Sequence, residues 1–184
     1  SSGLSGTYEG MRTIGTSLLK RYPERKFVSV DTLAASVGQG LIVYYAAKMR
    51  LEGKSLNEVE QWTRRSRLNL AHWFTVDDLM FLFRGGRVSR TAAFAGSLLN
   101  IKPVLHVDND GLLIPVEKTR GRKKSIQALV KHMEETVTQP IENQLIGISH
   151  GDCIEDVEYL KKLITEKFGV TKYLVNYVDP VIGA

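Results

Sequence analysis

Asp108-Asn109-Asp110-Gly111 stands between two short apolar runs, at 104–107 and 112–116, and this arrangement constrains the fold more than any other stretch. An Asp-Gly pair between apolar runs marks a tight hairpin, because glycine reaches the positive φ that such turns demand. Beyond the hairpin the apolar period changes. Residues 121–137 read as a helix and 145–149 as a strand; Ile154, Val157, Leu160 and Ile164 mark the inner face of another helix, and 173–178 a last strand. Strand, helix and strand at this spacing predict a β-α-β unit with parallel strands.

Before the hairpin, 72–76 reads as a strand and 77–84 as a short helix closed by Gly85-Gly86. Residues 89–99 read as a helix rich in small residues (Ala92, Ala93, Ala95, Gly96). The composition changes near Leu68. Ahead of it, a Ser/Gly loop at 1–7 precedes an amphipathic helix with Tyr8, Met11, Ile14 and Leu18 on one face, ended by Pro23. A short strand is expected at 27–30, then a helix with Ala34, Val37, Leu41 and Tyr44 on one face and a stop at Gly53. Ser55-x-x-Glu58 is a capping box opening a third helix, with Leu56, Val59 and Trp62 inside. The expected fold is α/β in two parts: 1–68, a portion of a parallel α/β layer, and 69–184, an α/β domain with a hairpin and a β-α-β unit. No internal repeat is visible.

At 184 residues, 43% hydrophobic and 24% charged, the chain can bury a real core, which excludes a disordered or collagen-like class. The net charge of +5 is local: the run 118–124 holds Lys118, Arg120, Arg122, Lys123 and Lys124 without an acid, and the rest of the chain is balanced. The single Cys153 excludes an internal disulfide framework. With no apolar run of about 18 residues and no signal-peptide pattern at residues 1–6, the expected location is the cytoplasm, without stable membrane insertion.

The loop Ser1-Ser2-Gly3-Leu4-Ser5-Gly6-Thr7 offers hydroxyls and backbone N–H groups before a helix N-terminus, where the dipole favours an anion. It reads equally as an ordinary N-cap by Ser5 or Thr7. It is neither a Walker A loop nor a G-x-G-x-x-G fingerprint. Arg87, after Gly85-Gly86, suits bracing of two segments through carbonyls better than contact with an acidic ligand. The basic run reads as a solvated turn, a docking patch for an acidic partner, or a nucleic-acid contact. The last would need wider basic coverage and exposed aromatics, so no nucleic-acid partner is expected. His150 ends a strand, where α/β sheets bind ligands, although a lone histidine is more often structural. Cys153 reads as a packed thiol. No Ser-His-acid set, carboxylate pair or metal-spaced cluster can be argued, so no catalytic residue, metal or cofactor is expected.

These motifs converge. Ser2-Gly3-Leu4-Ser5-Gly6-Thr7-Tyr8, Phe81-Leu82-Phe83-Arg84-Gly85-Gly86-Arg87-Val88, Leu98-Leu99-Asn100-Ile101-Lys102-Pro103-Val104 and Lys118-Thr119-Arg120-Gly121-Arg122-Lys123-Lys124 resemble the DegV family in order and spacing, and Ser149-His150-Gly151-Asp152 resembles its later His-Gly element. The resemblance covers essentially the whole chain. It implies a two-domain α/β protein that is not itself an enzyme: a fatty-acid-binding subunit of fatty acid kinase. Such a subunit presents an acyl carboxylate to a separate ATP-binding kinase, which phosphorylates it for phospholipid synthesis. Residues 1–68 would be the C-terminal portion of the first, Rossmann-like domain, and 69–184 the second domain without its C-terminal end. The resemblance places the carboxylate at Ser1, Ser2, Gly3, Ser5, Gly6 and Thr7, with Ser2 as chief contact. Arg87 and His150 would stand near the head group, and Arg120, Arg122 and Lys123 would dock the kinase. At about 0.8 kcal/mol per methylene, a tail of about 14–16 carbons would dominate affinity. Family members begin about 90 residues earlier and continue into a His-x-Gly-Pro-Gly segment, which makes this chain truncated at both ends. The alternative expectation is an α/β enzyme, or enzyme fragment, that binds a phosphorylated small molecule at the Ser/Gly loop.

Overall fold

The computed structural model describes residues 1–89, 100–138 and 140–179. The helix expected at 89–99, with Ala92, Ala93, Ala95 and Gly96, and the apolar stretch 181–184 lie outside the described residues, Ser89 apart. The chain divides into two units, the first formed by Ser1–Leu70 together with Asn109–Leu112.

The first unit is helical: α1 (Thr7–Arg21), α2 (Ser36–Leu51) and α3 (Leu56–Ser66), with a 3-10 turn at Arg67–Asn69. Its described residues contain no strand. The strand expected at 27–30 is absent, and with it the parallel layer expected of 1–68, because a strand is stabilised by a ladder partner and none is present here. Side chains take the carbonyls instead: Arg64 donates to Ser29 at 3.2 Å and Arg67 to Asp31 at 2.8 Å. The inner face expected for α1 is also corrected. Met11, Ile14 and Leu18 are 51%, 58% and 47% exposed, since nothing described in this unit packs on them. The buried position on α1 is Gly15, which lies against the Phe27 ring. On α2 the buried face runs through Gly38, Leu41 and Ile42, while Tyr44 is exposed. Gly53, at φ +83°, reverses the chain after α2 as expected. Both halves of the Ser55/Glu58 capping box form, Glu58 N–H to Ser55 Oγ at 3.3 Å and Ser55 N–H to Glu58 Oε2 at 2.8 Å. Tyr45 of α2 meets Trp62 of α3 with ring centroids 6.1 Å apart.

The second unit is mixed α/β: β1 (Trp73–Thr75), α4 (Leu79–Arg84), β2 (Ile101–Val107), β3 (Leu113–Arg120), α5 (Arg122–Thr136), β4 (Ile146–His150), α6 (Ile154–Phe168) and β5 (Tyr173–Tyr177). The hairpin forms with Gly111 at φ +77°. Its strands run longer than expected, and β1 joins them in an antiparallel sheet of order β1-β2-β3. Proline is tolerated twice. Pro103 lies beyond the last β1 pair, Thr75 with Val104, so its missing N–H interrupts no β1 bond. Pro115 is on the edge strand, where a register shift leaves Val116 as an extra residue. The expected β-α-β unit is β4, α6 and β5, with the strands parallel from Ile146 with Tyr173 to His150 with Tyr177. Gly169, at φ +67°, ends α6 in the left-handed conformation.

Two clusters form the core of this unit. Leu79 and Leu105 gather Phe74, Val76, Leu82, Phe83 and Leu113; Val130, Ile141, Ile164 and Val170 gather Leu160, Leu163 and Tyr173. Among the described residues no helix is long and apolar enough to cross a membrane.

Candidate functional site

The Ser/Gly loop is an organised turn. The Ser1 carbonyl accepts the Leu4 and Ser5 N–H groups at 3.3 and 3.2 Å, and Ser1 Oγ accepts the Gly3 N–H at 3.2 Å while donating to the Gly111 carbonyl at 3.1 Å. Gly3 is required here: a Cβ would stand 2.6 Å from the Asp110 carbonyl oxygen and 2.8 Å from that of Gly111. Ser5 Oγ donates to Thr7 Oγ1 at 3.0 Å and accepts the Thr7 N–H at 3.4 Å. The N-cap itself is Gly6, without a side-chain cap bond, rather than Ser5 or Thr7.

Ser2, Ser5, Gly6 and Thr7 are exposed at the start of α1, whereas Ser1 and Gly3 are partly buried and hold the turn. Ser2 leans on an acid. Its N–H donates to Asp31 Oδ1 at 3.1 Å. Burial alone would raise the Asp31 pKa; the Ser2 hydroxyl and the Leu33 and Ser2 N–H groups outweigh it and hold the carboxyl below its ordinary range. Asp31, and Arg67 on its carbonyl, went unnoticed in the sequence, where a lone acid in an irregular stretch carries no periodic signal.

The other expected site residues belong to the second unit. Arg87 is exposed and donates to the Gly85 carbonyl of its own turn, so it braces the corner. His150 is buried at the C-terminal end of β4; its Nδ1 accepts the Cys153 N–H at 3.2 Å, which places the ring's own proton on Nε2. Its ring lies 4.5 Å from that of Tyr177.

The basic run is not a solvated turn. Lys118, Thr119 and Arg120 end β3, Gly121 at φ +90° is the helix cap, and Arg122, Lys123 and Lys124 open α5. Arg120, Lys118, Lys123 and Lys124 are exposed. Arg122, expected on the docking surface, is bound internally: Nε lies 2.7 Å from Asp156 Oδ2, a second nitrogen 4.0 Å from Asp77 Oδ1, and a third donates to Cys153 Sγ at 3.8 Å. Burial works against its charge, but the Asp156 hydrogen bond and the attraction of Asp156, Asp77 and Cys153 prevail and raise its pKa.

His106 and His132 have more context than their sequence positions suggest. Trp73 stacks between them, at 5.2 and 4.4 Å, and His132 bridges Glu117 and Glu135 at 2.9 and 2.8 Å. The pairing of Trp73 with His106 is a matter of register, which no local motif reveals. No group of His, Cys, Asp and Glu suited to a metal ion occurs among the described residues. An open groove beside α5 and α6 is lined by Gln127, Val130, Leu163, Glu166 and Lys167, and includes none of the residues of the Ser/Gly loop.

The sequence profile of the DegV family, described as uncharacterised, matches residues 1–184. A DegV domain-containing protein of Clostridium perfringens is 47% identical over 184 residues, all of this chain and 63% of that protein. A DegV family protein of Thermus thermophilus whose structure is described as fatty acid binding is 30% identical, with a TM-score of 0.76 over 96% of this chain and 61% of that one. The fatty acid kinase B3 protein of Streptococcus pneumoniae, crystallised with linoleic acid, is 22% identical, with a TM-score of 0.87 over 96% of this chain and 62% of its own, and supports the fold alone. The chain thus spans less than two thirds of the relatives it matches.

Proposed function

The chain belongs to the DegV family, and from that premise we propose that it binds a long-chain fatty acid and presents the carboxyl group to a separate ATP-binding kinase subunit. The kinase would form the acyl phosphate; this chain would be the lipid carrier and not the catalyst. Residues 1–68 are read as the C-terminal portion of the first DegV domain and 69–184 as the second, the cytoplasm being the working compartment.

The observation that carries the reading is the loop Ser1–Thr7, which keeps Ser2, Ser5 and Thr7 exposed on a turn locked by Ser1 and Gly3. Hydroxyls on a rigid turn orient a carboxyl group, while an aliphatic tail supplies affinity at about 0.8 kcal/mol per buried methylene. Ser2 is the principal contact, with Ser1, Ser5 and Thr7 around it and Gly3 and Gly6 shaping the loop. Arg87 and His150 serve the head-group side. Arg120 at the end of β3 and Lys123 on α5 face the kinase, and Arg122 holds the start of α5. The fatty-acid binding described for the Thermus thermophilus relative supports the assignment.

Solvent extraction of the purified full-length protein followed by mass spectrometry is expected to release a long acyl chain, and added oleate to raise the melting temperature. Protection by inorganic phosphate or nucleotide with none by oleate would replace this reading with that of a phosphorylated small molecule.

A further inference from the structure

The backbone N–H groups of residues 2–5 are all engaged inside the first unit. Gly3 donates to Ser1 Oγ, and Leu4 and Ser5 donate to the Ser1 carbonyl; Ser2 reaches outside the loop, to Asp31 Oδ1 at 3.1 Å. Over these residues the loop is therefore not a cradle of backbone donors, and what it offers an anion is side-chain hydroxyl. Asp31 is itself held. The same Oδ1 accepts the Leu33 N–H at 3.2 Å, closing an Asx turn, and Arg67 donates to the Asp31 carbonyl at 2.8 Å. Leu33 stands at φ +52°, a conformation that a bulky residue keeps only where its surroundings enforce it. Those surroundings include the hairpin tip. A Cβ on Gly111 would lie 3.4 Å from Leu33 Cα, and the Gly111 carbonyl accepts Ser1 Oγ at 3.1 Å. The residue that pins Ser1 thus also backs the turn that pins Ser2.

We propose that Asp31 is a positioning residue of the carboxyl-binding loop and acts through Ser2: by accepting the Ser2 N–H it sets where the Ser2 hydroxyl stands before a ligand arrives. The inference rests on the fatty-acid reading and adds to it a residue that works without contacting the ligand. A hydroxyl on a preset backbone takes up a carboxyl group without first losing its own freedom, so the gain is the ordering cost avoided. Asp31 does this by accepting N–H groups and not by its charge. A side-chain amide oxygen accepts in the same way.

The test is calorimetric titration of full-length protein with oleate, each variant being first shown to be folded by its melting curve. Asp31→Ser keeps a hydroxyl for the local turn but is one bond shorter toward Ser2, and is expected to weaken oleate binding about tenfold. Asp31→Asn keeps an acceptor for both N–H groups and is expected to rescue binding to within about twofold. In a Ser2→Ala background, where the hydroxyl is already gone, Asp31→Ser is expected to cost less than about twofold further. A role in stability alone would weaken binding equally in both backgrounds. Unchanged affinity in Asp31→Ser, or an undiminished loss on top of Ser2→Ala, would overturn the proposal. So would an about tenfold loss in folded Asp31→Asn, whether or not Asp31→Ser folds. If the unmodified protein takes up no oleate, the fatty-acid reading fails, and this inference with it.

Discussion

Arg120 and Arg122 are two residues apart in one basic run, and their surroundings separate them. Arg120 ends β3 exposed, while Arg122 is drawn into ion pairs with Asp156 and Asp77. Removing a partly buried cation takes the ion pair from Asp156, while Asp77 keeps Lys102 at 2.7 Å, so Arg122→Ala should cost about 1–2 kcal/mol, between surface and buried ion pairs. Arg120→Ala should change stability by less than about 0.5 kcal/mol and slow acyl-phosphate formation several-fold with the partner kinase. Urea unfolding and coupled kinase kinetics measure the two effects; a destabilised Arg120→Ala would contradict the assignment. The acid side of this network sets a pH dependence. The Lys102 hydrogen bond is the main influence that lowers the Asp77 pKa from its ordinary 3.8, helped by the charges of Lys102 and Arg122 against the burial that opposes them. A depressed carboxyl stabilises the fold above the unfolded value, and that contribution is lost as pH falls through the folded one. Stability should therefore decline below about pH 4, less steeply in Asp77→Asn. With Asp77 76% exposed, the difference should stay under about 1 kcal/mol.

At the scale of elements, Gly15 sets two effects against each other. Replacing a mid-helix glycine by alanine usually gains about 1 kcal/mol. Here the new Cβ would enter the space of the Phe27 ring, which must swing off α1 and lose its contact. Loss of aromatic burial is worth about 1–3 kcal/mol, so Gly15→Ala should destabilise. In a Phe27→Ala background the same change should stabilise by about 1 kcal/mol; equal effects in both backgrounds would show that the ring does not matter. Ser55→Ala should cost about 1 kcal/mol of thermal stability through loss of the cap. That cap was legible in the sequence because its partners are three residues apart, and so was the hairpin, whose turn is written in four consecutive residues. The strand at 27–30 was misread because its apolar residues promise a strand only where a ladder partner exists, and Phe27 covers Gly15 instead. The candidate site divides in the same way. Its hydroxyls and glycines form a local string that can be read; Asp31, across 29 residues from Ser2, becomes visible only once the chain is folded.

Across the whole molecule, apolar burial is unequal. Among the described residues, the buried apolar side chains of the first unit are Ala34, Leu41 and Ile42, whereas the second holds both core clusters, with Val104, Leu105 and Val170 at zero exposure. The first unit also leaves Met11, Ile14, Leu18 and Tyr22 of α1 and Leu51 of α2 exposed. Some 70 residues with so small a core lie near the limit at which apolar burial offsets conformational entropy. The position of the proposed carboxyl-binding loop at the head of α1 then links stability to binding, because the segment that must hold Ser2 is the less secure one. A ligand that contacts the folded loop at a hundred times its Kd adds about 2.7 kcal/mol to whatever opening that loop shares. Native-state hydrogen exchange on the 184-residue chain is expected to show β2 amides exchanging only through global unfolding, and α1 amides through a local opening of much lower free energy. Saturating oleate should raise protection in α1 and leave β2 nearly unchanged. If α1 and β2 exchange with equal free energy in the absence of ligand, the unequal cores do not govern stability; if ligand protects β2 alone, the carboxyl group is not bound at the Ser/Gly loop.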